Sequence, residues 1–200
     1  MSESFSSKRD YIPHDISILS EYCDKDDLIL DIGCGNGRLS EVLDCKYIGA
    51  DTSSKMLEIA KRKYPDKEFV LSKSLNFPFS DNHFDKVFCL AVFHHIPSKR
   101  LRQEFLKEIR RVLKPQGDLI LTVWELNNDK KAKKLKRFYS NNILYPFKDS
   151  DKLIAQRFIH LFNVGSLDKE VSRVFNIEEI GIQKRSEKGS NIFLKAKNLL

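Results

Sequence analysis

The stretch Leu28-Ile29-Leu30-Asp31-Ile32-Gly33-Cys34-Gly35-Asn36-Gly37 constrains this chain more than any other. It reads as a buried strand running into a glycine loop that opens a helix. Glycines at 33, 35 and 37 let backbone approach a ligand where a Cβ would collide. Asp31 marks the strand's carboxyl end, where open α/β sheets bind their ligands. The next apolar run, Tyr47-Ile48-Gly49-Ala50, also ends in an acid, Asp51. An acid at the tip of a second strand is placed to accept hydrogen bonds from ribose hydroxyls. Two such acids bracketing the loop point to a nucleoside-bearing cofactor.

Spacing narrows the choice. A dinucleotide fingerprint needs Gly-x-Gly-x-x-Gly, so that a pyrophosphate can rest on the helix N-terminus. Here the third glycine comes one residue early and position 38 is Arg. Asp-x-Gly-x-Gly-x-Gly with the second acid resembles motif I and its partner in class I S-adenosylmethionine-dependent methyltransferases, of the methyltransferase type 11 kind. The resemblance continues through Phe77-Pro78-Phe79-Ser80-Asp81-Asn82-His83-Phe84-Asp85 and Arg111-Val112-Leu113-Lys114-Pro115-Gln116-Gly117, and covers roughly residues 28 to 125.

Composition bounds the rest. Two hundred residues suit one domain with a sizeable core. No apolar run approaches the ~20 residues of a membrane-spanning helix, and the polar N-terminus is no signal peptide. Cys23, Cys34, Cys45 and Cys89 show no CxxC pairing, so reduced thiols in a cytoplasmic protein are expected, with no metal site. The net charge of +7 suits a polyanionic partner, nucleic acid before membrane. The densest cluster is Lys130, Lys131, Lys133, Lys134, Lys136 and Arg137, which reads either as a solvated helix face or as a binding patch.

Strand-type runs alternate with helical patterns, as in βαβ units and a parallel sheet. Strands are predicted at Tyr47–Asp51, Glu68–Leu71, Lys86–Leu90 and Asp118–Glu125. Helices are predicted after Gly37, from Ser53 or Ser54 to Pro65, and from Ser98 through Leu113. A basic helical segment is expected from residue 126 to about Phe162, then a short helix over Ser166–Phe175. Ile177–Lys184 and Ile192–Lys197 read as a closing hairpin. Residues 1–27, with Phe5, Tyr11, Ile12, Ile16 and Leu19, are expected to form a helical lid over the cofactor mouth. Residues 28–200 would form the domain itself, 28–125 its cofactor-binding core and 126–200 its substrate side. The fold implied is a Rossmann-like, mainly parallel seven-stranded sheet with an antiparallel last strand and helices on both faces.

The resemblance also implies roles. Gly33, Cys34, Gly35 and Gly37 would receive the methionine portion of S-adenosylmethionine, and Asp31 its ammonium, with carbonyls from Leu90 and Ala91. Asp51 and Thr52 would meet the ribose. The family usually places an acid after strand three to bind the adenine amino group, but Lys73 stands there and cannot accept that bond. Backbone around Ser74 and Leu75 would read the base instead.

A narrower likeness lies in Leu90-Ala91-Val92-Phe93-His94-His95, in Leu121-Thr122-Val123-Trp124, and in Arg157-Phe158-Ile159-His160-Leu161-Phe162. These look like the eukaryotic wobble-uridine tRNA methyltransferases, which esterify 5-carboxymethyluridine, and Phe5-Ser6-Ser7-Lys8-Arg9 is similar to their entry motif. The likeness implies tRNA as partner and, as in the eukaryotic relatives, a small activator protein; the enzyme is expected to be a monomer with no membrane partner. A carboxylate acceptor is already a nucleophile at neutral pH and needs an orienting cation, Arg157 or Arg9. His160, one helical turn beyond Arg157, would share its face. His95 is either a general base or a packing residue. Trp124 either stacks on a flipped base or walls the core. Two other readings stay open: a small-molecule methyltransferase acting on a quinone-like metabolite, and a catalytically silent cofactor-binding scaffold.

Overall fold

The computed structural model describes residues 14–73, 75–139, 141–149, 152–186 and 189–199. The strands are β1 (Leu28–Ile32), β2 (Lys46–Asp51), β3 (Glu68–Leu71), β4 (Phe84–Leu90), β5 (Leu113–Glu125), β6 (Asn142–Asp149), β7 (Lys152–His160), β8 (Asn176–Ser186) and β9 (Gly189–Lys197). The helices are α1 (His14–Ser17), α2 (Ser54–Lys63), α3 (Lys99–Val112), α4 (Lys130–Tyr139) and α5 (Val164–Val171).

Seven strands form one sheet in the order β3-β2-β1-β4-β5-β9-β8. Pairing is parallel from β3 to β5, whereas β9 runs antiparallel to both β5 and β8. This is the sheet implied by the resemblance. Chain order reverses between β1 and β4, which opens a crevice at their carboxyl ends.

Strand alternation divides the core between the two faces. Leu30, Ile32, Val87, Leu119 and Leu121 pack with Phe105, Ile109 and Val112 of α3 on one face. Ile29, Phe88, Ile120 and Phe193 meet Ile16, Leu19, Leu57 and Ala60 on the other. Asp31 follows Ile29 by two residues and so faces that second layer, where Tyr47 of β2 also lies.

Helix starts follow capping chemistry. Ser53 accepts from the Met56 amide at the start of α2, and Ser98 from the Leu101 amide at the start of α3. The short helix expected at Ser166 instead begins after Asn163. Asn163 and Ser166 form a reciprocal capping box, which makes Ser166 its third residue. The segment after Gly37 is only a 3-10 turn, Arg38–Glu41.

The larger correction concerns residues 126–162. Helix ends at Tyr139, and β6 and β7 form a separate antiparallel pair. Ile143, Tyr145 and Phe147 recur every second residue, as do Ala155, Arg157 and Ile159 across the ladder. That period of two favours strand, and the density of lysines in α4 obscured it. Ile143 and Ile159 pack with Ala132 and Leu161 in a third apolar cluster, which seats α4 on the hairpin. No helix among the described residues is long and apolar enough to cross a membrane.

Candidate active site

The crevice holds a cavity of about 950 Å³. Its lining includes Gly33, Gly35, Arg38, Asp51, Thr52, Met56, Ser72, Lys73, Leu75, Leu90 and Ala91 from the strand tips and the loops after them. Ile16 and Leu19 line it from the N-terminal segment. Val92, His95, Trp124, Arg157 and Phe158 line it as well, and Trp124, Arg157 and Phe158 come from the substrate-side strands.

Asp51 is fixed by both loops around it. Its Oδ2 accepts from the Gly35 amide at 2.9 Å, and its Oδ1 from the Ser53 amide at 2.8 Å. Each carboxylate oxygen has a second lone pair, so the group retains capacity for two vicinal hydroxyls. Gly33 has φ +73° and a Cβ there would collide with Val92 Cγ2, so that position admits no side chain. Across the crevice Ala91 holds φ +57°, a left-handed conformation that costs an alanine ~1–2 kcal/mol. Its amide donates to the Thr122 carbonyl at 3.0 Å and to Thr122 Oγ1 at 3.1 Å, which offsets that strain at the tip of β4.

Three expected cofactor residues stand outside the cavity wall. Asp31 is 3% exposed and accepts a hydrogen bond from the Tyr47 hydroxyl at 2.7 Å. Burial pushes its carboxyl up to about 7, against the lowering by that hydroxyl. Cys34 is buried in the second core layer. Gly37 leaves room for Phe69, whose ring would lie 2.8 Å from an added Cβ, so packing requires that glycine. Conversely, Arg38 lines the wall and was missed. Its position directly after the last glycine was the available signal. Ser74 and Arg9 lie outside the described residues, as do Phe5, Tyr11 and Ile12.

The two histidines divide their roles. His94 is fully buried, its ring 5.0 Å from Trp124 and 4.3 Å from His95. His95 lines the cavity, and its Nδ1 lies 2.8 Å from the Phe158 carbonyl. A carbonyl only accepts, so Nδ1 carries the proton and a neutral ring keeps its lone pair on Nε2. Trp124 both packs on this pair and lines the cavity.

Arg157 is half-buried on the cavity wall, its guanidinium 4.1 Å above the Phe147 ring. Burial lowers its pKa without bringing it near neutrality. His160 does not share its face. In a strand, residues three apart point to opposite sides. His160 Nδ1 instead meets Asn142 Oδ1 at 2.6 Å, outside the cavity wall, and burial lowers its pKa to about 4. Arg102 fastens this region from below. Its guanidinium spans both Glu170 oxygens, at 2.6 and 3.3 Å, and donates to the Ile96 carbonyl.

A parallel sheet reversing at β1/β4, a glycine turn that brings backbone to the crevice and a strand-tip carboxylate facing a cavity are the features of the S-adenosylmethionine-dependent methyltransferase class. Asp51 would hold the ribose hydroxyls, the Gly33–Gly35 backbone and Arg38 the methionine end, and Leu75 the base. When bound, this cofactor supplies a methyl group activated on sulfonium.

The comparisons agree. A family model described as a methyltransferase domain matches residues 30–121. A tRNA (carboxymethyluridine(34)-5-O)-methyltransferase of Schizosaccharomyces pombe is 30% identical over 162 residues, covering 71% of this chain and 70% of that protein. A probable tRNA methyltransferase 9B of Mus musculus is 34% identical over 121 residues, covering 60% of this chain. The chain spans only 26% of the length of that mouse protein. A solved S-adenosylmethionine-dependent methyltransferase from Methanosarcina mazei shares the fold with a TM-score of 0.79, at 24% identity over 92% of this chain and 97% of that one. The chain therefore belongs to the family of S-adenosylmethionine-dependent methyltransferases that contains the tRNA carboxymethyluridine enzymes.

Proposed function

We propose that this protein transfers a methyl group from S-adenosylmethionine to the carboxylate of a 5-carboxymethyl wobble uridine in tRNA. The observation that carries the reading is Arg157, a half-buried cation lining the same cavity as the strand tips that would hold the cofactor. A guanidinium can bind a carboxylate through two parallel hydrogen bonds and orient one oxygen for in-line attack. A carboxylate acceptor needs no deprotonation, so this reading requires no base of His160, which stands off the cavity with a pKa lowered to about 4, or of His95, whose ring lines it. Trp124 offers an indole face to a base in the same cavity. The likeness to the fission yeast carboxymethyluridine enzyme supports this acceptor, and the likeness to the mouse protein supports tRNA as its carrier.

Labelled methyl from S-adenosylmethionine, followed into fractionated RNA, protein and metabolite pools, tests this. Label is expected in tRNA and released by mild alkali, because an ester hydrolyses there and a carbon- or nitrogen-bound methyl does not. Label confined to metabolites refutes it. That outcome belongs to the second reading, a small-molecule methyltransferase, which the apolar wall of Phe77, Ile96, Leu101 and Phe105 favours. No transfer to any pool, with the cofactor bound, would mark a silent scaffold. Residues 14–27 serve in this reading as part of a lid, through Ile16 and Leu19. The activator partner implied by the likeness is tested by co-purification, and the monomeric state by sedimentation.

A further inference from the structure

We propose that α4 and the hairpin β6–β7 form a docking track for the ribose–phosphate backbone of RNA, leading from the protein surface to the cavity. The inference rests on the RNA reading above and assigns where the strand beside the acceptor nucleotide lies.

The charge on α4 is unusual in place as well as amount. Six of its ten residues are lysine or arginine, and none is acidic. Lys130, Lys131, Lys133 and Lys134 crowd its first turns, at the positive end of the helix dipole. Cations there oppose the helix dipole, and a helix selected only for stability places acids at that end. Asp129, which accepts from the Ala132 amide at 2.6 Å, is the single acid at the cap. The inner face is fixed by Ala132, fully buried, and Leu135 against Ile143 and Ile159. Lys130, Lys133, Lys134 and Lys136 consequently point to solvent.

The charge does not end at the helix. Lys131 Nζ lies 5.2 Å above the Tyr145 ring. Tyr145 stands directly opposite Arg157 in the β6–β7 register, and the Arg157 guanidinium covers Phe147 two residues along. Arg157 in turn lines the cavity. Cations and aromatic rings thus alternate from open solvent to the cavity. Single-stranded nucleic acid is held by this combination, cations on the phosphates and aromatic faces under the bases. An anionic membrane would use the lysines alone and leave the rings and the cavity without a role.

The test compares wild type with the triple variant Lys130→Gln, Lys133→Gln, Lys134→Gln. All three side chains are exposed, so melting temperature and calorimetric affinity for S-adenosylhomocysteine should not change. Binding of total tRNA is read by fluorescence anisotropy across a salt series. The variant is expected to bind at least about tenfold more weakly at low salt. Its slope of log affinity against log salt should be shallower by roughly 2, about 0.7 for each lost contact to a single strand. Equal affinity and slope for the two proteins overturn the track. If wild type still methylates RNA in that case, the proposed function stands without it. RNA bound through these lysines while label enters only metabolites retains the track and removes the function. Preference for vesicles of anionic lipid over tRNA in both proteins assigns the lysines to a membrane and overturns the proposal.

Discussion

The hydroxyl of Tyr47 donates to Asp31 Oδ2 across 2.7 Å of buried space between neighbouring strands. Gly49 is the direct register partner of Asp31, and the space a Cβ would take there is filled by the Phe69 ring and Cys34 Sγ, so this layer is closely packed around the pair. The first acid of the glycine motif is thereby a buried group of the second core layer, held in place under the turn rather than exposed to the cavity.

This pair predicts a pH dependence. Burial raises the folded-state pKa of Asp31 from its ordinary 3.8 to about 7. Between those values the folded protein binds more protons than the unfolded chain, so this group's contribution to stability falls as pH rises. Asp31→Asn should abolish that loss, and its advantage over wild type should grow from pH 5 to pH 8 in denaturant titrations. Tyr47→Phe removes a stabiliser of the anion and should move the window upward. A pH profile identical in wild type and Asp31→Asn would contradict the assignment.

Asp51→Ala should weaken cofactor binding by at least about 150-fold. Two hydrogen bonds to a carboxylate are lost, each worth ~1.5–3 kcal/mol. Because Asp51 also pins the Gly35 and Ser53 amides, Asp51→Asn should restore part of the affinity. Calorimetry with S-adenosylhomocysteine reads both, and unchanged affinity in the alanine variant would remove Asp51 from the site.

Arg157→Ala should leave cofactor affinity within about twofold and reduce methyl transfer by roughly 30- to 150-fold, the equivalent of ~2–3 kcal/mol for a charged hydrogen-bonding partner. Arg157→Lys keeps the charge without the planar fork and should recover only part of the rate. A variant that loses cofactor binding in step with transfer would show Arg157 to be structural.

Arg102 and Glu170 form a buried pair, their side chains 4% and 9% exposed. Arg102→Ala strands the carboxylate and should cost ~3–5 kcal/mol in chemical unfolding. The double replacement Arg102→Met, Glu170→Leu should lie much closer to wild type. Equal losses in both proteins would show that packing, not charge, dominates there.

Cys23 and Cys45 are free thiols whose sulfurs lie 2.8 Å apart. Oxidised glutathione should join them: two S–H bonds are lost, one S–S bond forms, and glutathione is reduced. Cys34 and Cys89 are buried, and burial raises both pKa values, so they should stay unmodified. Peptide mapping under non-reducing conditions reads the link. Equal alkylation of all four cysteines after oxidation would refute the pairing.

The core was legible in the sequence because its signals are local and repeated. β1 is apolar on both faces, Ser98 caps a helix whose buried positions recur at Phe105, Ile109 and Val112, and Asp51 ends an apolar strand. The substrate side was less legible. In 126–162 the lysines dominated composition, while the alternation of Ile143, Tyr145 and Phe147 carried the structure. Reading Arg157 and His160 on a helix put them on one face, and a strand sends them to opposite sides.

The order of apolar runs, glycines and acids in this chain determined by itself a parallel α/β sheet with a nucleoside site at its tips. Each of those signals spans only a few residues, and the backbone preferences behind them act locally. Which acid faces the cavity was decided only in three dimensions. Asp31 and Asp51 are alike in sequence, each closing an apolar strand before a loop. Yet strand alternation turns one into the core beside Tyr47, while two loop amides hold the other at the cavity. The partners that separate their roles come from other strands and loops, and packing alone brings them together.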